Sequence, residues 1–317
     1  MNKKISVIVP CYNEEKVLQL LYDELTKVSE KLISYTFEWI FVDDGSADHT
    51  LEIIKQIAMR DKRMIYIAFS RNFGKEAAMY AGLCNAQGDF VAVMDADMQD
   101  PPSLLPQMAE ILEGGEYDSI ATRRVSRENE PVLRSFFARL FYRIINKISN
   151  VDIVDGARDF RLMKRPMVDA IVAIGERNRF SKGIFGWVGF NTYWLPYKNV
   201  ERRAGETKWR FWGLFHYAVD GIINFSQVPL LFASWIGIIL TFVSAFFIMV
   251  IIIRKLICGD PVAGWPSLAC IITFIGGIVL FCLGIIGQYI ARIYIEVKAR
   301  PLYIVRESNL EVGDRFR

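Results

Sequence analysis

Histidine is almost missing from this 317-residue chain: His49 and His216 are the only two, and no motif surrounds either. That argues against histidine-based acid–base catalysis and histidine metal centres. The five cysteines, Cys11, Cys84, Cys258, Cys270 and Cys282, form no Cys-x-x-Cys pair, so neither a zinc site nor a disulfide framework is indicated. No Gly-x-Gly-x-x-Gly follows an apolar run, and no Gly-x-Ser-x-Gly or kinase pattern occurs. A dinucleotide-dependent oxidoreductase, a serine hydrolase and a kinase lose ground together. There is no internal repeat and no low-complexity linker, and a net charge of +3 gives no reason to expect a nucleic-acid partner.

Charge itself is absent from two long stretches, 228–253 and 262–291. Each exceeds the roughly 20 apolar residues that span a bilayer as a helix. The expectation is a C-terminal two-helix transmembrane hairpin, residues 228–291, with spans near 229–253 and 266–290. Two buried core helices are the alternative. Gly237, Gly276, Gly277, Gly284 and Gly287 suit close helix approach, within one chain or in a homo-oligomer. No secretory signal is visible, because the apolar run after Lys4 ends at Pro10. Lys208, Arg210, Arg292, Lys298, Arg300 and Arg306 flank the expected inner ends, against Arg254 and Lys255 in the outer loop. That bias places both termini in the cytosol. The expected divisions are a catalytic domain over 1–227, the hairpin, and a cytosolic tail over 292–317.

Residues 1 to about 125 alternate short apolar runs with helix-like segments. Strands are expected near 5–9, 37–42, 65–69, 89–94 and 119–122, and helices near 14–32, 49–60, 74–86 and 103–113. This is the pattern of an α/β, mainly parallel (Rossmann-like) sheet covered on both faces. Such sheets bind ligands outside the carboxyl ends of their strands. Farther on, the apolar spacing over 135–148 predicts an amphipathic helix. The aromatic and basic stretch 209–225 suits a helix lying in the headgroup region.

The strand ends are where polar residues gather. After the run 90–94 comes Asp95-Ala96-Asp97, two carboxylates suited to a hard cation, Mg²⁺ or Mn²⁺. After 37–42 comes Asp43-Asp44-Gly45-Ser46, whose carboxylates can accept from a base or a ribose; Ser46 or Asp48 can equally cap the next helix. After 5–9 come Pro10, Tyr12, Asn13 and Glu14, where Tyr12 could pack on a nucleobase or Asn13 cap a helix.

These segments, with Ser70-Arg71-Asn72-Phe73-Gly74 and Met98-Gln99-Asp100-Pro101-Pro102, occur in an order that resembles the family 2 glycosyltransferases. More narrowly they resemble the polyprenyl-phosphate type, which includes dolichol-phosphate mannosyltransferase and the bactoprenol glucosyltransferases. The resemblance runs from about residue 5 to 300. It implies a GT-A fold and inverting transfer of one sugar from a nucleotide-diphosphate sugar to undecaprenyl (polyprenyl) phosphate, at the inner leaflet of a bacterial cytoplasmic membrane. UDP-glucose is the first choice of donor. UDP-N-acetylglucosamine, GDP-mannose and another lipid acceptor are alternatives, and a catalytically silent scaffold subunit is the non-enzymatic one. No Gln-x-x-Arg-Trp of the processive synthases is present.

By the resemblance, Asp97 carries the metal with Asp95 beside it, and Gln99 lies near the sugar or acceptor. Pro10, Tyr12, Asn13, Glu14, Asp43, Asp44, Ser46, Asn72, Gly74, Lys75, Asp95 and Ala96 frame the nucleotide sugar. Gly156 to Met163 resembles the family's Asp-Phe-Arg-Leu segment and makes Asp159 a base or acceptor-orienting group. An ion pair of Asp159 with Arg158 or Arg161 is the plainer alternative. Arg202 to Trp209 resembles its Arg-x-Gly-x-Ser-Lys loop, with Thr207 in place of Ser. Arg123, Arg139, Arg158, Arg161, Arg203, Thr207 and Lys208 are the candidates for holding the acceptor phosphate or diphosphate.

Overall fold

Nearly continuous apolar runs build the centre of a sheet whose two faces are both covered. In β1 (Lys3–Cys11) successive residues serve opposite faces: Val7 and Val9 enter one core, Ile8 the other. The remaining strands are β2 (Tyr35–Asp43), β3 (Met64–Phe69), β4 (Phe90–Val93), β5 (Ser119–Arg124), β6 (Ala157–Lys164), β7 (Thr192–Tyr197) and β8 (Val305–Ser308). This computed structural model describes residues 3–124, 154, 156–197, 226, 228–258 and 264–310. The expected helices over 135–148 and 209–225 lie outside those residues, as do Arg139, Arg203, Thr207 and Lys208.

The strand order is β7-β5-β6-β4-β1-β2-β3-β8. β1 pairs in parallel with β2 and β4, β2 with β3, and β5 with β7. Only β6 and β8 run against their neighbours. The sheet is therefore mainly parallel, as the alternating pattern predicts. One face is packed by α1 (Leu18–Lys31), α2 (Thr50–Arg60) and α4 (Leu105–Glu113). The other is packed by α3 (Lys75–Asn85), α5 (Arg165–Ala173) and α6 (Ser181–Trp187). The chain leaves β1 for β2 on one side and returns to β4 on the other, so the crevice beyond the carboxyl ends of β1 and β4 is the topological switch point.

One expectation needs correcting. α1 begins at Leu18 rather than near residue 14, because Asn13 adopts φ 53° and turns the chain instead of capping a helix. Part of the expected tail, residues 305–308, joins the sheet. β8 completes its edge against β3, Ser70 N–H donates to Ile304 O at 2.9 Å, and Tyr303 stacks on Phe69 at 4.8 Å. The strand is antiparallel because the chain re-enters from the far end.

Two long helices precede that strand, α7 (Val228–Cys258) and α8 (Trp265–Lys298). They touch where Cys282 Sγ donates to Ala233 O at 3.7 Å, and Tyr289 OH of α8 donates to Ser226 O, just ahead of α7, at 2.7 Å. Among the described residues, Phe274–Lys298 is long and apolar enough to cross a membrane, and Val228–Leu240 is a shorter apolar stretch. The end of α8 is fastened to the polar part: Glu296 accepts from Arg177 N–H at 2.7 Å, and Arg177 Nε donates to Arg300 O at 2.9 Å.

Gly45 allows the β2 turn to approach the β3 turn. Its φ is +69°, and a Cβ there would sit 2.5 Å from the Arg71 carbonyl carbon. Gly45→Ala combines left-handed strain with overpacking and is expected to cost about 2–4 kcal/mol, seen as a lowered thermal midpoint.

Candidate functional site

Four loops meet beyond the strand ends, and backbone-to-side-chain bonds lock them together. After β1, Asn13 N–H donates to Ser46 Oγ at 2.9 Å, and Asn13 Oδ1 accepts from Ala47 N–H at 2.8 Å. Glu14 N–H donates to Thr50 Oγ1 at 2.8 Å. After β2, Asp43 accepts from Ser46 N–H at 3.3 Å, while Asp48 accepts from Thr50 N–H at 3.0 Å in an Asx turn just ahead of α2, whose N-cap is His49. Asp44 is buried and accepts from Phe73 N–H at 2.6 Å and Gly74 N–H at 2.9 Å. The acidic turn thus does structural work whatever else it binds. Burial pushes both Asp43 and Asp44 up, and their backbone donors offset part of that. Pro10 is half-buried at the end of β1, Tyr12 is exposed beside it, and Asn72 is exposed in the β3 turn.

The segment after β4 alternates. Asp95, Asp97 and Gln99 are half-exposed; Ala96, Met98 and Asp100 are buried. Asp97 accepts from Gln99 N–H at 3.1 Å. Lys75, the first residue of α3, bridges two carboxylates: its Nζ lies 2.6 Å from Asp95 Oδ1 and also pairs with Asp159 on β6. Asp159 is therefore paired, but with Lys75 rather than with Arg158 or Arg161. Burial alone would raise the Asp159 carboxyl; Lys75, then Lys182 and Arg161, hold it well below the usual range. Burial opposes the Lys75 charge, and Asp159 and Asp95 more than reverse that, so its ammonium is held above its usual range.

Arg158 and Arg161 sit on the same strand with different surroundings. Arg158 donates from Nε to Asp100 at 3.2 Å and from Nη2 to Gln99 Oε1 at 3.0 Å. Tyr197 OH donates to the same Asp100 oxygen. Arg161 is buried, lies 3.5 Å over the Phe185 ring, and has a buried Nε without a hydrogen-bond partner among the described residues. Arg123 extends from β5 opposite Ala157.

Sequence reasoning quoted Asp100 in a motif but gave it no role, and it singled out neither Tyr197, Glu76, Ser181 nor Lys182. Asp100 carried a readable signal, an acid directly before Pro-Pro. Lys182 and the Glu76–Ser181 hydrogen bond, which ties α3 to α6, lie in no motif.

A divalent cation suits the oxygens available here. No group of three or more His, Cys, Asp or Glu side chains gathers among the described residues. Asp95 spends one oxygen on Lys75. Mg²⁺ commonly takes one or two carboxylates with phosphates and water completing its shell, and Asp97, half-exposed after β4, is a carboxylate that could supply one.

Residues 6–172 match the sequence model of glycosyl transferase family 2. The chain is 43% identical over 310 residues to the putative glycosyltransferase CsbB of Bacillus subtilis (strain 168), covering 98% of this chain and 93% of that one. It is 41% identical over 306 residues to the SfII prophage-derived bactoprenol glucosyl transferase of Shigella flexneri, covering 96% and 98%. Among solved structures, the mannosyltransferase PcManGT from Pyrobaculum calidifontis, in complex with GDP-Man and Mn²⁺, aligns with a TM-score of 0.50. That match covers 71% of this chain and 64% of that one at 17% identity, a likeness of fold alone. The fold is the mainly parallel, Rossmann-like GT-A type, and the chain belongs to glycosyl transferase family 2.

Proposed function

We propose that this enzyme transfers one glucose from UDP-glucose to undecaprenyl phosphate at the inner leaflet, with inversion. The observation that carries the reading is the 41% identity, over nearly all of both chains, to a protein named a bactoprenol glucosyl transferase. The molecule's surface supports it. Phe232, Trp235, Phe242, Phe246 and Phe247 of α7 and Phe274, Leu280 and Phe281 of α8 are exposed, more apolar area than a water-facing surface carries. In this reading α7 and α8 form the hairpin of a multi-pass membrane protein, residues 1–227 and both termini are cytosolic, and β8 and the Arg177–Glu296 pair hold the site against the bilayer.

The donor lies across the switch point. Tyr12 packs on the base, and Pro10, Asn13, Glu14, Asp43, Asp44 and Ser46 shape that wall. The turn through Asn72, Gly74 and Lys75 and the segment Asp95-Ala96 close the other. Asp97, with Asp95 nearby, would hold Mg²⁺ or Mn²⁺, which as a Lewis acid stabilises charge on the departing diphosphate. Lys75 fixes Asp95 and Asp159 relative to each other. Arg158 orients Gln99 toward the sugar. The acceptor phosphate is already anionic, so Asp159 is asked to orient more than to deprotonate. Arg123, Arg139, Arg161, Arg203, Thr207 and Lys208 supply the cations and hydroxyl that bring two phosphate groups together.

The test is transfer of labelled sugar to undecaprenyl phosphate by the purified protein, with Mg²⁺ or Mn²⁺ and a panel of UDP- and GDP-sugars. The expected result is one lipid-soluble, metal-dependent product from UDP-glucose, reduced at least a hundredfold in Asp97→Asn. No lipid product from any donor, or unchanged turnover in Asp97→Asn, would overturn the reading in favour of another acceptor or a scaffold.

A further inference from the structure

A cleft of ≈ 220 Å³ opens between β6, β7 and α6. Among the described residues Arg161 and Lys182 supply its charge, and Phe185, Phe190 and Trp194 much of its apolar lining. Nucleotide sugars exceed drug-sized ligands, whose pockets run roughly 300–1,000 Å³, so this cleft admits a smaller group.

Among the described residues its cations have no carboxylate partner. Arg161 is 2% exposed, its Nε makes no hydrogen bond, and no carboxylate lies within 4 Å of Arg161 or Lys182 among the described residues. Asp159, whose charge both cations feel, is committed to Lys75. A buried charge without a counter-ion is costly, and an anion entering the cleft would supply one. The aromatic lining asks for apolar surface on the same ligand. The cleft is also tied to the membrane side of the molecule. The loop leading into α6 is held by Glu296, near the end of α8, through the backbone N–H groups of Arg177 and Asn178 at 2.7 and 3.3 Å.

We infer that this cleft seats a phosphate monoester bearing an apolar tail, with the phosphate on Arg161 and Lys182 and the first isoprene unit on Phe185, Phe190 and Trp194. The inference rests on the proposed lipid acceptor and assigns it a place, beside Asp159 and apart from the donor. It gives Lys182 a role in acceptor binding and Phe190 one in recognising the tail.

The experiment measures binding to the full-length protein in detergent by calorimetry, using farnesyl phosphate, inorganic phosphate, farnesol and UDP as separate probes. Lys182→Gln is expected to weaken farnesyl phosphate about tenfold or more, and to raise KM for undecaprenyl phosphate similarly, with UDP binding unchanged. Phe190→Ala is expected to weaken farnesyl phosphate while leaving inorganic phosphate unaffected. Unchanged farnesyl phosphate affinity in Lys182→Gln would overturn the assignment, and so would loss of UDP binding instead, which would give the cleft to the donor. If the wild type glycosylates no lipid yet still binds farnesyl phosphate through Lys182, the site stands and the reaction reading fails.

Discussion

Lys75→Met is expected to lower kcat/KM by roughly 10²–10³ and to move the acid limb of its pH profile to higher pH. Lys75 is the ammonium that Asp95 and Asp159 share, and it joins the donor-side strand end β4 to β6. Without it two carboxylates confront each other with no cation between them, and one retains its proton into the working range. In the wild type Asp159 is ionised well below the usual carboxylate range, burial being outweighed by Lys75 and then by Lys182 and Arg161. Its contribution to stability is fully present above about pH 4, the unfolded value, and is lost as pH falls toward the depressed folded one. Lys75 contributes in the opposite sense, with its ammonium raised by Asp159 and Asp95 against burial. That contribution is present below about pH 10.4 and is lost as pH rises further. Lys75→Met removes both, so its thermal midpoint should vary less with pH at either extreme. An acid limb that stays where it is would show that Lys75 does not set the state of Asp159.

The strand ends could be read from sequence because parallel strands buried on both faces leave continuous apolar runs, and polar residues begin where burial stops. β1, β2, β3 and β4 fall within a few residues of expectation for that reason. The Asp95-Ala96-Asp97 segment was legible in the same way, and its alternating exposure continues to Asp100. What could not be read was pairing across sequence distance. Lys75 and Asp159 are far apart in the chain, and nothing local tells Asp159 to choose Lys75 over its neighbours Arg158 and Arg161. β8 was hidden for a similar reason. Four residues after a long apolar helix carry no strand signal of their own, and only the open edge of β3 gives them a place. The alternative of Asn13 as a helix cap fails because the same side chain that caps helices also tolerates positive φ and bonds to a neighbouring loop.

The largest loss of stability is expected from Asp100→Ala, about 3–5 kcal/mol. Asp100 is fully buried, and one of its oxygens accepts both from Arg158 at 3.2 Å and from Tyr197. Its other oxygen is buried with no partner among the described residues. Burial pushes the Asp100 carboxyl up, and Arg158 and Tyr197 offset only part of that. The pair is therefore not a strong source of net stability, yet removing one member is severe. Arg158 would be left charged and largely enclosed, while burial opposes its charge and Asp100 is the leading group that sustains it. Asp100→Leu combined with Arg158→Met removes both charges and should recover much of the loss, since apolar replacement of a buried pair is often neutral. The thermal midpoints of the single and double variants in detergent test this, with a drop of roughly 10 °C expected for Asp100→Ala alone. The double variant should regain stability without regaining turnover, because Arg158 also holds Gln99 Oε1 at 3.0 Å. Additive losses in the double variant would mean that Asp100 and Arg158 act independently. Activity recovered along with stability would remove Arg158 and Gln99 from the reaction. The same buried pair thus separates two uses of charge in this enzyme: Asp100 and Arg158 brace the segment that follows Asp97, whereas Lys75 joins Asp95 at the end of β4 to Asp159 on β6.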